Sequence, residues 1–190
     1  MLFRSGFQPG IESHEIPKGK ARDDAKAAKL QYSYGGRLKN LRRAQGVMQL
    51  LPSTAMDIYR KMGITDTETM ISMMRTPYTN ALTAASYIKS IINGIYAGSY
   101  GVSYDDVKDM AQSSEWKKAA KTLGMSPETI ITYLTASAMY NQGPHGRNVP
   151  GTFAAFENLS YDEGSRSASG IPSYQLGVLN YMLAQVPANQ

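Results

Sequence analysis

The sequence predicts an all-α fold in a single domain, and three observations support it. Apolar residues recur at helical spacing from Asn80 to Ile95. The segment from Ser126 to Tyr140 opens with serine, proline and glutamate and is apolar on most sides afterwards, which is typical of a core helix. No stretch alternates apolar and polar residues for long enough to build a large sheet. A chain of 190 residues with this composition can form one compact domain with a buried core.

The other helices are predicted from helix formers and from the residues that end them. They cover residues 19–33, 53–62, 67–74, one or two helices in 105–123, and a last helix from about 172. The first is polar and stops at Gly35-Gly36, whereas Gly63 ends the second from a left-handed position. Residues 164–170 are rich in serine and glycine and predict a linker before the last helix.

The composition excludes several kinds of chemistry. Cysteine is absent, which excludes disulfides, thiolate metal sites and a cysteine nucleophile. His14 and His145 are far apart and lack metal-ligand spacing, so we expect no metal site and no cofactor. No apolar run reaches the roughly 20 residues that span a bilayer, and the N-terminal residues show no signal-peptide pattern.

The net charge of +5 favours an anionic partner, such as nucleic acid, an anionic lipid surface or a bacterial cell wall. Much of the positive charge lies in residues 18–43. Such a run serves equally well as a solvated surface or as an anion-attracting one. Because these basic residues lie outside the specific motifs of the chain, charge alone is weak support for nucleic-acid binding.

Specific motifs occur in a fixed order along the chain. They are I-E-S-H-E-I-P (11–17), A-Q-G-V-M-Q-L-L-P-S-T-A (44–55), P-Y-T-N (77–80), A-M-Y-N-Q-G-P (138–144), and Tyr174 followed by V-L-x-Y (178–181). Together they resemble the catalytic domains of the soluble (Slt-type) lytic transglycosylases of the lysozyme-like superfamily. Those domains carry E-S-x-x-x-P, G-L-M-Q-L-x-P-x-T-A, P-x-x-N, A-Y-N-x-G and Y-x-x-x-V-L-x-x-Y segments. The resemblance extends from Glu12 to about Tyr181.

The resemblance implies one lysozyme-like domain over residues 1–190, with the basic segment at about 18–43 as an insertion. It implies cleavage of the β-1,4 bond between N-acetylmuramic acid and N-acetylglucosamine in peptidoglycan, with a 1,6-anhydro product. Glu12 matches the family's general acid, which protonates the leaving oxygen and then acts as base on the sugar's own 6-hydroxyl. This reaction needs no second catalytic carboxylate, unlike most glycosidases.

The other matched residues are implied to bind and orient the substrate. They are Ser13, Met48, Gln49, Tyr140, Asn141 and Tyr174. Ser13 supports the acid or the substrate acetamide, and Tyr174 orients the acid by hydrogen bonding. An exposed aromatic such as Tyr78 can stack on a sugar face. Glu15 is the alternative catalytic acid, because it shares a helical face with Glu12 and the flanking prolines leave only a short helical turn there.

Several other interpretations remain open. One is a catalytically inactive lysozyme-fold protein that serves as a structural virion or wall-binding component. A hydrolytic muramidase is another, which would differ in product rather than in fold. The missing signal-peptide pattern favours delivery to the periplasm or cell wall by a phage, as a virion-associated or lysis protein, or by a secretion apparatus. Proteins of the virion or of that apparatus would then be partners.

Overall fold

The computed structural model describes residues 44–187, together with the backbone of two strands at 31–34 and 37–40. The chain divides into two compact units, residues 1–87 and 88–190. The boundary between them falls inside the longest helix of the described residues, Pro77–Tyr96. Each unit is described below by itself.

A β-hairpin forms the first described part of the 1–87 unit. Strand β1 (Gln31–Tyr34) pairs antiparallel with β2 (Arg37–Asn40), and Tyr32 lies opposite Lys39. The prediction of a helix over 19–33 is therefore wrong at residues 31–33, and the rest of that segment lies outside the described residues. Tyrosines favour strands, and two glycines separate the strands in sequence, a connection that suits a hairpin.

Two helices follow, with ends that match their sequence signals. Helix α1 (Pro52–Lys61) begins with a proline in its first turn, and α2 (Thr67–Arg75) is capped by the Asp66 carboxylate, which accepts the Thr69 N–H at 2.7 Å. At the end of α1, Gly63 has φ +81°, and its amide and the next one bond back to α1 carbonyls at 2.9 and 3.0 Å. This is the Schellman arrangement, so the predicted glycine stop is confirmed.

Helix α3 (Pro77–Tyr96) is the long amphipathic helix that the apolar spacing predicted. Its most buried positions are 80, 83, 84, 91, 94 and 95. Ala81 and Ala85, which the spacing placed on the buried face, are exposed. The buried face is therefore rotated toward two polar residues, Asn80 and Thr83, and both of them form hydrogen bonds.

The described helices that follow α3 all lie in the 88–190 unit. They are α4 (Tyr104–Met110), α5 (Ser114–Leu123), α6 (Pro127–Gln142), α7 (Val149–Ala154), a 3-10 helix (Ala155–Asn158) and α8 (Ser173–Ala184). Helix α6 is central, since it contacts α4, α5, α7 and α8. The indole N–H of the fully buried Trp116 donates to the Phe156 carbonyl at 3.1 Å, which ties α5 to the 3-10 helix.

Residues 164–170 form part of a hairpin, so the prediction of a linker there is wrong. Strand β3 (Ser160–Asp162) pairs antiparallel with β4 (Ser167–Ser169). The Asp162 carboxylate organises the turn by accepting the Gly164 N–H at 2.9 Å and the Ser165 hydroxyl at 2.8 Å. Serine and glycine are compatible with a tight turn as well as with a linker, and the composition alone did not distinguish them.

The all-α prediction is confirmed. In the part of the chain that the structure describes, helices dominate and strands are limited to two short hairpins. No helix among these residues is long and apolar enough to cross a membrane. The organisation of residues 1–190 as one domain, with an insertion at 18–43, stays a prediction.

Candidate active site

The A-Q-G-V-M-Q-L-L motif forms a tight turn immediately before α1. Gln45 and Leu50 exchange backbone hydrogen bonds of 2.8 and 3.1 Å and so close the turn. Gly46 and Gln49 both have left-handed backbone conformations, with φ of +72° and +51°. Reversing the chain in so few residues requires such conformations, and glycine adopts them without steric cost.

Gln49 is the less usual of the two left-handed residues, because a side chain in this conformation costs about 1 kcal/mol. Its backbone N–H and its side-chain Nε2 both donate to the Gly46 carbonyl, at 3.1 and 2.8 Å. These bonds offset the conformational cost and hold the Gln49 side chain across the turn, where it is only 9% exposed. The amide nitrogen of Gln49 thus stabilises the turn itself, while the neighbouring Met48 is half-buried.

Asn80, in the first turn of α3, connects the P-x-x-N motif to this turn. Its Oδ1 accepts the Met48 N–H at 2.8 Å, and its Nδ2 donates to the Gln45 carbonyl at 3.2 Å. The residue is fully buried, with 0% exposure. In the sequence, Asn80 was identified only as part of the P-x-x-N motif at the start of a helix. Its need for buried hydrogen-bond partners could have been predicted, because an amide side chain on the apolar face of a helix must find such partners.

Gly46 approaches Asn80 so closely that no other residue fits without a shift. A Cβ atom at Gly46 would lie 2.6 Å from the Asn80 side-chain amide and 2.6 Å from the Met74 carbonyl oxygen. The glycine is therefore required twice, for its positive φ and for the missing side chain. The glycine of one motif and the asparagine of another thus meet in a single close contact.

In the 88–190 unit, the A-M-Y-N-Q-G motif forms the end of the central helix. Tyr140 is half-buried and Asn141 is exposed in the last turn of α6, which ends at Gly143 with φ +85°. Gln142 Nε2 donates to the Thr152 hydroxyl of α7 at 3.3 Å. Tyr174 is half-buried in the first turn of α8, which packs on α6. Tyr140, Asn141 and Tyr174 thus all occupy helix ends in this unit.

The structure describes some of the predicted site residues and not others. Glu12, Ser13 and Glu15 lie outside the described residues. Met48 and Gln49 share one turn of the 1–87 unit, and the other matched residues belong to the 88–190 unit. The roles of all these residues toward a substrate stay predictions. Tyr78 is 71% exposed, as stacking on a sugar would require.

Several described carboxyl groups have shifted pKa values, and each of these shifts is downward. Hydrogen bonds are the largest cause, from Thr69 to Asp66, from Ser103 to Asp106, from Lys118 to Glu115 and from Ser165 to Asp162. A general acid for glycoside cleavage needs the opposite, a pKa raised toward neutrality. These four groups are therefore ionised near pH 7 and unsuited to protonate a leaving oxygen.

The left-handed G-V-M-Q turn and the Y-N-Q-G helix end carry the motifs by which the sequence resembles lysozyme-like transglycosylase domains. Residues 5–148, about three quarters of the chain, match the family model described as the Transglycosylase SLT domain. The chain belongs to this family, whose members are lytic transglycosylases that act on peptidoglycan. The match includes Glu12 and ends before Tyr174. No curated protein and no solved structure matches the chain significantly.

Proposed function

We propose that this chain is an active lytic transglycosylase that cleaves the β-1,4 bond between N-acetylmuramic acid and N-acetylglucosamine and leaves a 1,6-anhydro end. The observation that carries this proposal is the family match over residues 5–148. That range contains Glu12, the Met48–Gln49 turn and the Tyr140–Asn141 helix end in the order of the family's motifs.

The proposed reaction uses one carboxyl group twice. Protonated Glu12 donates its proton to the glycosidic oxygen as the bond from that oxygen to C1 of the muramic acid breaks. The 6-hydroxyl of the same sugar attacks C1, and the Glu12 carboxylate removes the hydroxyl proton. The acid is regenerated, no water is consumed, and the two products are a new N-acetylglucosamine 4-hydroxyl and the anhydro end.

Four described carboxyl groups are poor candidates for the acid. Hydrogen bonds lower the pKa of each of them and so favour the charged form, which cannot protonate a leaving oxygen. Glu15 is the alternative acid, three positions after Glu12 in the same motif. Each of the two glutamates can be replaced by a single substitution, so the two candidates can be separated by experiment.

We further propose that the enzyme opens the cell wall locally for a bacteriophage, as a virion-associated protein. The Y-N-Q-G form of the fourth motif is similar to transglycosylase domains of phage internal virion proteins, and the net charge of +5 suits an anionic wall. Mass spectrometry of purified particles tests this placement. The chain should be present in virions, whereas export together with a bacterial secretion apparatus would contradict it.

The activity is tested by digesting purified peptidoglycan and identifying the muropeptides by mass spectrometry. Wild-type protein should release anhydro-muramic products, and Glu12→Gln should abolish them. Glu157→Gln is the matched control, because it makes the same chemical change on an exposed residue of the 3-10 helix and should leave activity intact.

Each other outcome has a distinct meaning. Reducing-end products would identify a hydrolytic muramidase and refute the proposed chemistry. Loss of activity in Glu15→Gln, with Glu12→Gln still active, would move the acid to Glu15. If folded wild-type protein bound peptidoglycan but released no product, the inactive wall-binding interpretation would replace the enzyme.

A further inference from the structure

We propose that Asn80 is a positioning residue for the reaction: its buried amide holds the Met48–Gln49 turn in the place at which that turn meets the glycan. The inference rests on the proposed function, because the role of this turn toward the sugar comes from the family resemblance. Asn80 itself is not proposed to touch the substrate.

The first support is that Asn80 joins two points of the turn. Its acceptor oxygen bonds to the Met48 N–H at 2.8 Å, while its donor nitrogen bonds to the Gln45 carbonyl at 3.2 Å. Both contacts span more than 30 positions in sequence, so they tie the turn to α3 rather than to itself. Since Asn80 is fully buried, water does not compete for either bond.

The second support is that the turn needs an external restraint. It contains two left-handed residues, and the bonds that close it include those from Gln49 to the Gly46 carbonyl and between Gln45 and Leu50. The Met48 amide, which lies between these pairs, donates to the Asn80 side chain outside the turn. Loss of the Asn80 acceptor would let this part of the turn shift, and a displacement of about 1 Å can cost an enzyme on the order of 100-fold in rate.

The third support is that asparagine fits this site better than a charged, a smaller or a longer side chain would. An aspartate would keep an acceptor for Met48 but would face the Gln45 carbonyl with a second oxygen. An alanine would remove both bonds. A longer amide has no room, because the backbone at Gly46 approaches the Asn80 amide so closely that a Cβ there would lie 2.6 Å from it.

The test compares Asn80→Ala and Asn80→Asp with Tyr59→Phe as control. Tyr59 is fully buried, and its phenol oxygen lies 2.9 Å from the hydroxyl of Thr83, one turn after Asn80 on α3. Tyr59→Phe therefore removes a buried hydrogen bond of the same helix without touching the turn. Assays use soluble glycan strands of peptidoglycan, well below the melting temperature of each variant.

If Asn80 positions the turn, Asn80→Ala should lose more activity than a control variant that loses the same stability. Asn80→Ala should lower kcat/KM by about tenfold to a hundredfold, mainly by raising KM, because the turn contacts the sugar before and during reaction. The kcat/KM of Tyr59→Phe should stay within about twofold of the wild-type value, even if this variant loses as much stability as Asn80→Ala does. Hydrogen exchange of the Met48 amide, followed by NMR, should accelerate about tenfold or more in Asn80→Ala alone.

The outcomes separate this inference from the proposed function. If wild-type protein releases no product, both proposals fail. If wild type is active and Asn80→Ala keeps its kcat/KM, or loses no more than Tyr59→Phe does, only the positioning role is refuted. Should Asn80→Ala not fold, Asn80→Asp is compared with Tyr59→Phe under the same criteria.

Discussion

Substituting Gly46 by alanine tests the close packing of the turn, and Gly63 provides a matched control. Both glycines have left-handed backbones, with φ of +72° and +81°. A Cβ at Gly63 meets nothing within 4 Å, whereas a Cβ at Gly46 would lie 2.6 Å from the Asn80 side chain and from a backbone carbonyl. The two substitutions therefore share the conformational cost and differ in the steric one.

The magnitudes follow from these two contributions. Gly63→Ala should destabilise the protein by about 1 kcal/mol, the cost of placing an alanine at positive φ. Gly46→Ala adds the cost of overpacking, about 1–3 kcal/mol, for a total of roughly 2–4 kcal/mol. For a chain of this length, the melting temperature should fall by roughly 3 °C and 5–15 °C respectively.

The assay is urea unfolding followed by circular dichroism, with the free energy of unfolding extrapolated to water for each variant. A loss at Gly46 that equals the loss at Gly63 would refute the argument, because it would mean that the turn relaxes away from Asn80 at no cost. Peptidoglycan digestion adds a second comparison. Gly46→Ala should lose activity, whereas Gly63→Ala should retain it.

Three further predictions concern the 88–190 unit. Asn180→Ala removes bonds of 2.8 and 3.1 Å to the backbone of Ala168, so the free energy of unfolding should fall by about 1–3 kcal/mol in urea titrations. Trp116→Phe deletes a buried indole donor and should cost about 1–3 kcal/mol, measured in the same way. The hydrogen bond from Ser103 lowers the pKa of Asp106, so its stabilising contribution is present above the unfolded-state pKa and is lost as the pH falls through the lower, folded-state pKa. Thermal melts between pH 6 and 2 should show a smaller acid-dependent loss in Asp106→Asn.

Each of these predictions has a result that contradicts it. An Asn180→Ala variant as stable as wild type would refute the contribution of its two hydrogen bonds. A Trp116→Phe variant as stable as wild type would show that the indole donor is dispensable. Identical acid profiles for wild type and Asp106→Asn would mean that this carboxylate is not linked to folding.

The helix signals of the sequence located most of the fold because they are local. Gly63 and the Ser126-Pro127 pair lie within a few residues of the helix ends they determine. The errors in secondary structure came from the two hairpins, at 31–40 and 160–169. The second is anchored by side chains from α5 and α8, and contacts of that kind leave no local pattern.

The candidate site shows the same division between local and distant information. The order of the motifs was sufficient to predict the family, and the match over 5–148 confirmed it. The partners of the Asn80 side chain were not predictable from its own motif, because they lie 32 and 35 positions away. Only the folded structure shows that Gly46 and Asn80 are complementary parts of one contact.

Both outer edges of the β3–β4 hairpin are occupied by side chains from helices. Asn180 bonds to the N–H and the carbonyl of Ala168 in β4, and the Glu115 carboxylate accepts the Tyr161 N–H of β3 at 2.9 Å. An unprotected strand edge can pair with a strand of another molecule and start aggregation. By filling these positions, the two helices protect a two-stranded sheet from intermolecular pairing. Solubility at high concentration should therefore fall when Asn180 or Glu115 is replaced by alanine.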